Sequence, residues 1–421
     1  MKIWLINQYN MPPEYGHLNR HYYFGKHLKI MGHSPSVFVG SYLHNTKIQI
    51  VKDKKKSKTY NNVDYPFYFI KTREYSSGKI KRILSMFDFY RNIFKVSKKL
   101  EKPDVIIGSS AHPLAAIAAI RLAKKYRCQS IVEIRDLWPE SFVAYGLMRK
   151  RNPLLKILYA GEKLIYKKAD KLIFTMEGGK EYIIKKGWDT GNGGPINLDK
   201  IFHINNGVDL DLFKHNLDNY KVDDNDLNSN SFKIIYTGSL RQTNDSLWTL
   251  IKTAQILQDE KLNVKIIIYG EGAEKDAFLS YCNKYSLNNI FFKGYVDKKY
   301  IPHILSFSDL NILNCSSWSV LEYGGSQNKL FDYLASGKPI ISGEDSKYSI
   351  VNKYGCGLSR TISGPKDLYD IILIMMNLNQ EEKEQMSKKV ISTSKIYSYE
   401  NLTKKLIETI RGENIGENSE E

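Results

Sequence analysis

Cysteine is scarce. Four residues, Cys128, Cys282, Cys315 and Cys356, are scattered through 421 positions with no paired spacing. That excludes a disulfide scaffold and a structural zinc site, and leaves each thiol as a small buried hydrophobe in a reducing compartment. No apolar run reaches the ~20 residues of a membrane-spanning helix, and no apolar leader precedes the first strand, so a cytoplasmic location is expected. Zinc-finger spacing, RNP-type aromatics and a recognition-helix pattern are also missing, which argues against nucleic acid as the partner. The triplet Asp209-Leu210-Asp211 follows Asn206-Gly207 in a turn context, and no metal site is expected there.

Acidic charge is short on one side of the chain only. Residues 1–200 carry 37 Lys and Arg against 16 Asp and Glu, a balance of +21, whereas residues 201–421 carry 25 against 29, or −4. A lysine-rich composition explains the total of +17 but not this asymmetry. The first half therefore faces an anionic partner, and an anionic membrane surface or a lipid diphosphate within it fits best. Residues 79–102 sharpen the point. Ile80, Ile83, Leu84, Phe87, Tyr90 and Phe94 recur at helical spacing, interleaved with Lys79, Lys81, Arg82, Arg91 and Lys95. The apolar face is expected to pack on a sheet, with the basic face and helix start near lipid. The run Lys52–Lys58 reads as a solvated loop.

The rest of the chain alternates short apolar strands with amphipathic stretches. Such strands stand at Lys2–Asn7, Ser36–Val39, Asp104–Gly108, Ser130–Ile134, Lys171–Thr175 and Ile201–Ile204. After a polar, non-periodic stretch at 214–231 the rhythm restarts at Phe232–Gly238 and continues through Val264–Gly270, Ile290–Gly294, Asp309–Leu313 and Pro339–Ser342. This is an α/β pattern of two doubly wound, Rossmann-like domains, each presenting ligands at the carboxyl ends of its strands, with a cleft between them as the expected site. The boundaries read as 1–213, a linker at 214–231, a second domain at 232–394, a final helix at 395–411 and a disordered acidic tail at 412–421.

One segment, Tyr323 to Ile341, concentrates the chemistry. Gly324 and Gly325 allow close backbone approach, Ser326 or Asn328 can cap a helix, and Leu330, Phe331 and Leu334 give that helix a buried face. Gly337 ends it. A helix start behind a glycine turn binds anions, and Lys329 in the first turn opposes the helix dipole unless an anion is bound. Asp332, one turn on, is placed to accept from ribose hydroxyls.

This segment, Gly-Gly-Ser-Gln-Asn-Lys-Leu-Phe-Asp-Tyr-Leu-Ala-Ser-Gly-Lys-Pro, resembles the donor-binding segment of retaining family 4 glycosyltransferases of the GT-B fold. It is closest to the O-antigen and capsule branch of N-acetyl-fucosamine transferase-like proteins. Asn7-Gln8-Tyr9, Arg135-Asp136-Leu137-Trp138-Pro139-Glu140, Asn206-Gly207-Val208-Asp209, Tyr236-Thr237-Gly238-Ser239-Leu240 and Gly270-Glu271-Gly272 extend the resemblance over nearly the whole chain. It implies a nucleotide-sugar donor, UDP-linked, bound without a metal cofactor by Gly238, Arg241, Gly324, Gly325, Lys329, Leu330 and Asp332, with the Gly16 amide near the diphosphate. It implies a polyprenyl-diphosphate-linked saccharide as acceptor, peripheral attachment at the inner face of the cell membrane, and a last helix crossing back to the first domain. Asp136, at a strand's carboxyl end, takes the place of a family histidine near the reacting centre, with His112 as the second choice. The family's first donor-segment glutamate falls at Gly324, so sugar contacts are expected from Glu322 or from the glycine amides. Two other readings stand beside this one: a UDP-N-acetylglucosamine 2-epimerase-like enzyme, and a non-catalytic partner in a polysaccharide-assembly complex.

Overall fold

The computed structural model describes residues 1–75, 78–241, 247–315 and 319–413. The chain forms two units: residues 1–205 together with the segment from Tyr399 on, and residues 206–398.

The first unit is built on an eight-stranded sheet. Its strands are β1 (Lys2–Ile6), β2 (Ser34–Gly40), β3 (Ser57–Thr59), β4 (Phe67–Ile70), β5 (Val105–Ser109), β6 (Gln129–Ile134), β7 (Lys171–Phe174) and β8 (Ile201–His203). Their order is β3-β4-β2-β1-β5-β6-β7-β8, parallel except for β3 against β4. The strands are nearly continuous apolar runs because helices cover both faces. Trp4, Ile6, Phe38 and Ile106 meet Phe89, Ile93, Ala119 and Leu122 in one core. The helix Tyr399–Arg411 belongs to this unit. Tyr399 stacks on Tyr23 with ring centroids 4.8 Å apart, and the Lys171 ammonium donates to the last carbonyls, Thr409 and Ile410.

The second unit holds β9 (Phe232–Thr237), β10 (Val264–Tyr269), β11 (Ile290–Gly294), β12 (Leu310–Ile312), β13 (Ile340–Ser342) and β14 (Gly357–Ser359). The sheet is wholly parallel, in the order β11-β10-β9-β12-β13-β14. In both sheets the chain reverses direction of travel at the first strand, between β1 and β5 and between β9 and β12. Such switch points open a crevice at the carboxyl ends of the strands.

The stretch expected to be a linker is not one. Residues Leu210–Asn219 form a helix, capped by the Asp209 carboxylate, which accepts from the Leu212 amide at 3.0 Å. Leu227 is buried, and Asp224 and Asp226 pair with Lys293 at 2.7 Å each. Polar sequence here is not slack: its carboxylates face lysines on β10 and β11 that only the fold brings near. The unit boundary accordingly falls at Asn205–Asn206, not after residue 213. The expected acidic tail from Gly412 lies, from residue 414 on, outside the described residues.

The basic segment forms a helix, Lys79–Ser97, with two apolar stripes. Ser85, Phe89, Ile93 and Val96 are buried, while Ile80 is 74% exposed, Ile83 51% and Phe87 48%. The expected packing of Ile80, Ile83, Leu84 and Phe87 on the sheet is thus corrected. The residues that reach the sheet lie on a neighbouring stripe, and the first two turns leave their apolar side chains in the open.

Candidate active site

In the second unit the site forms where β9 ends. Gly238 has φ +154°, and a Cβ there would lie 2.8 Å from the Tyr236 hydroxyl. The next loop packs as tightly: a Cβ on Gly270 would lie 1.8 Å from the Gly238 carbonyl oxygen. Backbone bonds Gly238 N–H to Tyr269 O (2.9 Å) and Leu240 N–H to Glu271 O (3.0 Å) lock the two turns together. These glycines are needed because backbone sits where side chains would.

The helix Asn328–Ser336 is pinned to this turn. Its buried Tyr333 hydroxyl accepts from the Thr237 amide at 2.9 Å. Its second residue, Lys329, places Nζ 4.0 Å from the centre of the Tyr236 ring. The cation therefore stands beside the Gly238 turn, held by a contact of ~0.5–2 kcal/mol. Neither Ser326 nor Asn328 caps this helix. Gln327 is the N-cap residue and makes no side-chain capping bond. Leu330 contributes burial, and its amide donates to the Gln327 carbonyl at 3.1 Å. Asp332 meets Lys298 at 3.4 Å. Burial pushes its carboxyl up and the ammonium pulls it back. Arg241 is exposed, and the loop that follows it, 242–246, lies outside the described residues.

Gly324 has φ +93°, the conformation for which glycine is suited. Glu322 is exposed. The sequence reading missed Glu344, in the loop after β13. Its carboxylate accepts from the Gly325 amide at 3.3 Å and from the Ser346 hydroxyl at 3.0 Å. It is buried, which pushes its carboxyl up to about 7 against the pull of Ser346 and Gly325. The available signal was Ser-Gly-Glu directly after a buried strand, at the carboxyl edge where ligands bind.

The first unit gathers a different set at its own carboxyl edge. Tyr9 follows β1, His44 follows β2, Tyr75 follows β4, His112 follows β5 and Asp136 follows β6. Tyr9 packs on His44 (centroids 4.6 Å apart) and on His112 (5.5 Å). Arg82 lies over the Tyr9 ring at 5.3 Å and donates to its hydroxyl at 3.3 Å, and His44 Nδ1 is 3.0 Å from the Tyr75 hydroxyl. This aromatic cup was invisible in the sequence, because its members are up to about a hundred residues apart and only the fold shows that Tyr9, His44, Tyr75 and His112 meet.

His112 is buried, and neither ring nitrogen has a hydrogen-bond partner among the described residues. Burial, with Arg82 adding to it, holds the imidazole down at about 3, so it is neutral and a poor proton acceptor. Asp136 is exposed at the end of β6. Between the two sequence candidates, Asp136 is the one that presents a proton-accepting group to the edge. The Gly16 amide donates to Pro13 O at 3.3 Å, so the expected role of that amide at a diphosphate is not supported. Among the basic residues, Lys81, Arg82, Arg91 and Lys95 are exposed, and the side chain of Lys79 lies outside the described residues. Among the described residues no three His, Cys, Asp or Glu side chains group as a metal site.

Comparison with known proteins fits this geometry. Residues 19–212 match the glycosyltransferase family 4 model, and residues 231–375 match the model for glycosyl transferases group 1. No curated protein matches the chain. Among solved structures it is similar to Anabaena Alr3699/HepE in complex with UDP, at 14% identity and TM-score 0.65, covering 98% of this chain and 100% of that one. It is also similar to the UDP-forming α,α-trehalose-phosphate synthase of Burkholderia vietnamiensis, at 10% identity and TM-score 0.69 with 97% and 99% covered. WaaG, a glycosyltransferase involved in lipopolysaccharide biosynthesis, aligns at 11% identity and TM-score 0.63 with 98% and 100% covered. The two family models between them account for most of the chain, which carries a glycosyltransferase family 4 match followed by a glycosyl transferases group 1 match on the GT-B fold.

Proposed function

We propose that the protein is a retaining glycosyltransferase. It moves a hexose or N-acetylhexosamine from a UDP-sugar to a polyprenyl-diphosphate-linked saccharide at the inner face of a membrane, in O-antigen or capsule assembly. The observation that carries the donor half is Lys329, held over Tyr236 beside the Gly238 turn at the start of a helix. There the ammonium and the helix dipole both act on the diphosphate, with Arg241 nearby in sequence. UDP and UDP-glucose occupy Alr3699/HepE, which shares this fold. The bond from the anomeric carbon to the diphosphate oxygen breaks. The diphosphate leaves with the electron pair, its charge met by Lys329, and the acceptor hydroxyl attacks the anomeric carbon and gives its proton to Asp136 or to the leaving phosphate. Glu344, beside Gly325, supplies the carboxylate toward the donor sugar that the sequence lacks at Gly324.

The acceptor half rests on charge and exposure in the first unit. The open stripe Ile80, Ile83, Leu84 and Phe87 stands among Lys81, Arg82, Arg91 and Lys95, as in helices that lie in a lipid interface. Lys52, Lys56, Lys71, Arg73, Arg91 and Lys95 also line a polar hollow of about 600 Å³, with Glu74 and Asp88 as its carboxylates among the described residues. No helix among the described residues is long and apolar enough to cross a membrane.

Purified protein should transfer sugar from a UDP-sugar to a short-chain prenyl-diphosphate saccharide, with the anomeric configuration kept. It should sediment with anionic vesicles in a salt-sensitive way and not with neutral ones. Epimerised sugar after incubation with donor alone would favour the epimerase reading. Binding of donor without hydrolysis or transfer would favour a non-catalytic partner.

A further inference from the structure

The first unit contains a cavity that reaches Asp136 at one end and whose apolar body neither the donor nor the acceptor chemistry uses. It is a groove of about 920 Å³ between the helices Pro113–Tyr126 and Pro153–Lys168. Its walls are Ile117 and Ile120 on one side and Ile157, Leu158, Leu164 and Ile165 on the other. Ile157 is 69% exposed and Leu164 49%, an unusual amount of aliphatic surface for side chains in mid-helix. At 1.5 Å per residue the 14-residue wall runs about 21 Å. Lys124, Arg127 and Lys168 cluster at the end that reaches Cys128 and Ser130. The carboxylates along it are engaged or set apart. Asp170 accepts from Ser130, Glu162 accepts from the Tyr166 and Tyr182 hydroxyls, and Asp136 stands at the opposite end, with Trp138.

Gly161 lies in the wall of the same groove. It sits in the middle of the helix Pro153–Lys168, where glycine is disfavoured relative to alanine, yet a Cβ there would meet nothing within 4 Å. No protein neighbour requires the missing side chain. Gly161 is itself exposed, and it leaves this wall of the groove open to solvent. The groove also adjoins the basic helix described above. Helix Pro113–Tyr126 packs beside Lys79–Ser97 through Tyr126 Oη to Ser97 O (2.9 Å) and Arg121 to Tyr90 Oη (2.5 Å).

We infer that this groove takes an acyl chain of an anionic membrane phospholipid, with its phosphate held by Lys124, Arg127 and Lys168. The inference rests on the membrane reading above and names the lipid contact within it. An acyl chain matches an apolar groove about 21 Å long, and the cationic end selects a phosphate over a neutral head.

The test is calorimetry on the full chain with dioctanoyl phosphatidylglycerol below its micelle concentration. The same-chain phosphatidylcholine, glycerol 3-phosphate and farnesyl phosphate serve as comparisons. Phosphatidylglycerol should bind at least tenfold tighter than each of the three. Gly161→Leu should weaken it at least tenfold while leaving the melting temperature equal or higher and UDP binding unchanged. Lys124→Glu with Arg127→Glu should abolish the preference over phosphatidylcholine. Wild-type affinity in Gly161→Leu, equal binding of glycerol 3-phosphate, or tighter binding of farnesyl phosphate would each overturn the assignment. So would a shift from dimer to monomer in Gly161→Leu by light scattering, which would make the groove a subunit interface. If wild-type protein ignores anionic vesicles altogether, the membrane reading itself fails. If vesicle binding survives Gly161→Leu and is lost on charge reversal of Lys81 and Arg82, only the groove assignment fails.

Discussion

The two units use one architecture to build sites of opposite kinds. Each places its ligand groups at the carboxyl edge of a parallel sheet, beside the strand where the order reverses. In the second unit those groups are local. Gly238, Ser239 and Leu240 form one turn, and Gly324 to Asp332 form one loop and helix start. In the first unit they are dispersed: Tyr9, His44, His112 and Asp136 follow four different strands, and Tyr75 and Arg82 follow a fifth. In the proposed function, the diphosphate meets backbone and helix dipole, which short glycine-rich segments provide whole. The proposed acceptor meets side chains converging from many strands. Substitutions should therefore change turnover in the first unit and affinity in the second.

Asp136→Asn gives the largest effect expected. It keeps shape and removes charge, and turnover should fall roughly 100-fold with donor affinity unchanged. Single-turnover rates near wild type would move the proton to the leaving phosphate and break the division of roles. Lys329→Ala should act on the other side. A charged hydrogen-bonding partner contributes about 1.5–3 kcal/mol, so UDP affinity should drop by roughly one to two orders of magnitude while the fold persists. Unchanged UDP affinity by calorimetry would refute the donor assignment.

The smallest effect concerns stability, and its sign follows from two buried glutamates of the first unit. Burial alone would raise the Glu133 carboxyl, but Arg20, at 2.6 Å, and His21 hold it well below the ordinary range. Its stabilisation is present above the ordinary glutamate range and is lost as pH falls into acid. Glu162 behaves oppositely. Burial pushes it up to about 8 against the pull of Tyr166 and Tyr182, so stability is lost as pH rises from about 4.5 toward 8. Glu162→Gln should flatten the decline in melting temperature between pH 6 and 8.5 and leave the acid limb intact. An unchanged alkaline limb would assign that decline elsewhere.

Much of the second unit was legible in the sequence. The glycine turn, the helix start, Lys329 and the helix stop at Gly337 each follow from neighbours a few residues apart. What was not legible there is Glu344, which reaches Gly325 only because β13 returns the chain to the same edge. Asp332 read as a free acceptor, and the structure pairs it with Lys298, a residue of another loop. In the first unit Asp136 was legible from its place at a strand end, whereas the burial of His112 was not. A histidine before Pro113 looks the same in sequence whether Phe89 and Tyr9 cover it or not. The polar stretch 214–231 misread as a linker for the same reason: Asp224 and Asp226 look solvated until Lys265 and Lys293 are placed beside them.

The sequence by itself determined what depends on short-range periodicity and on backbone freedom. That covers the α/β class, the two parallel sheets, the glycine turns and the cation at a helix start, because strand, helix and turn preferences are set within a few residues. It also determined the charge asymmetry, which is composition alone. Only the tertiary structure decided which stripe of the Lys79–Ser97 helix is buried, which carboxylates are paired, and that Gly161 opens onto a groove. Those outcomes depend on what stands across a sheet edge or a helix interface, where the partners are set by the fold and not by neighbours along the chain.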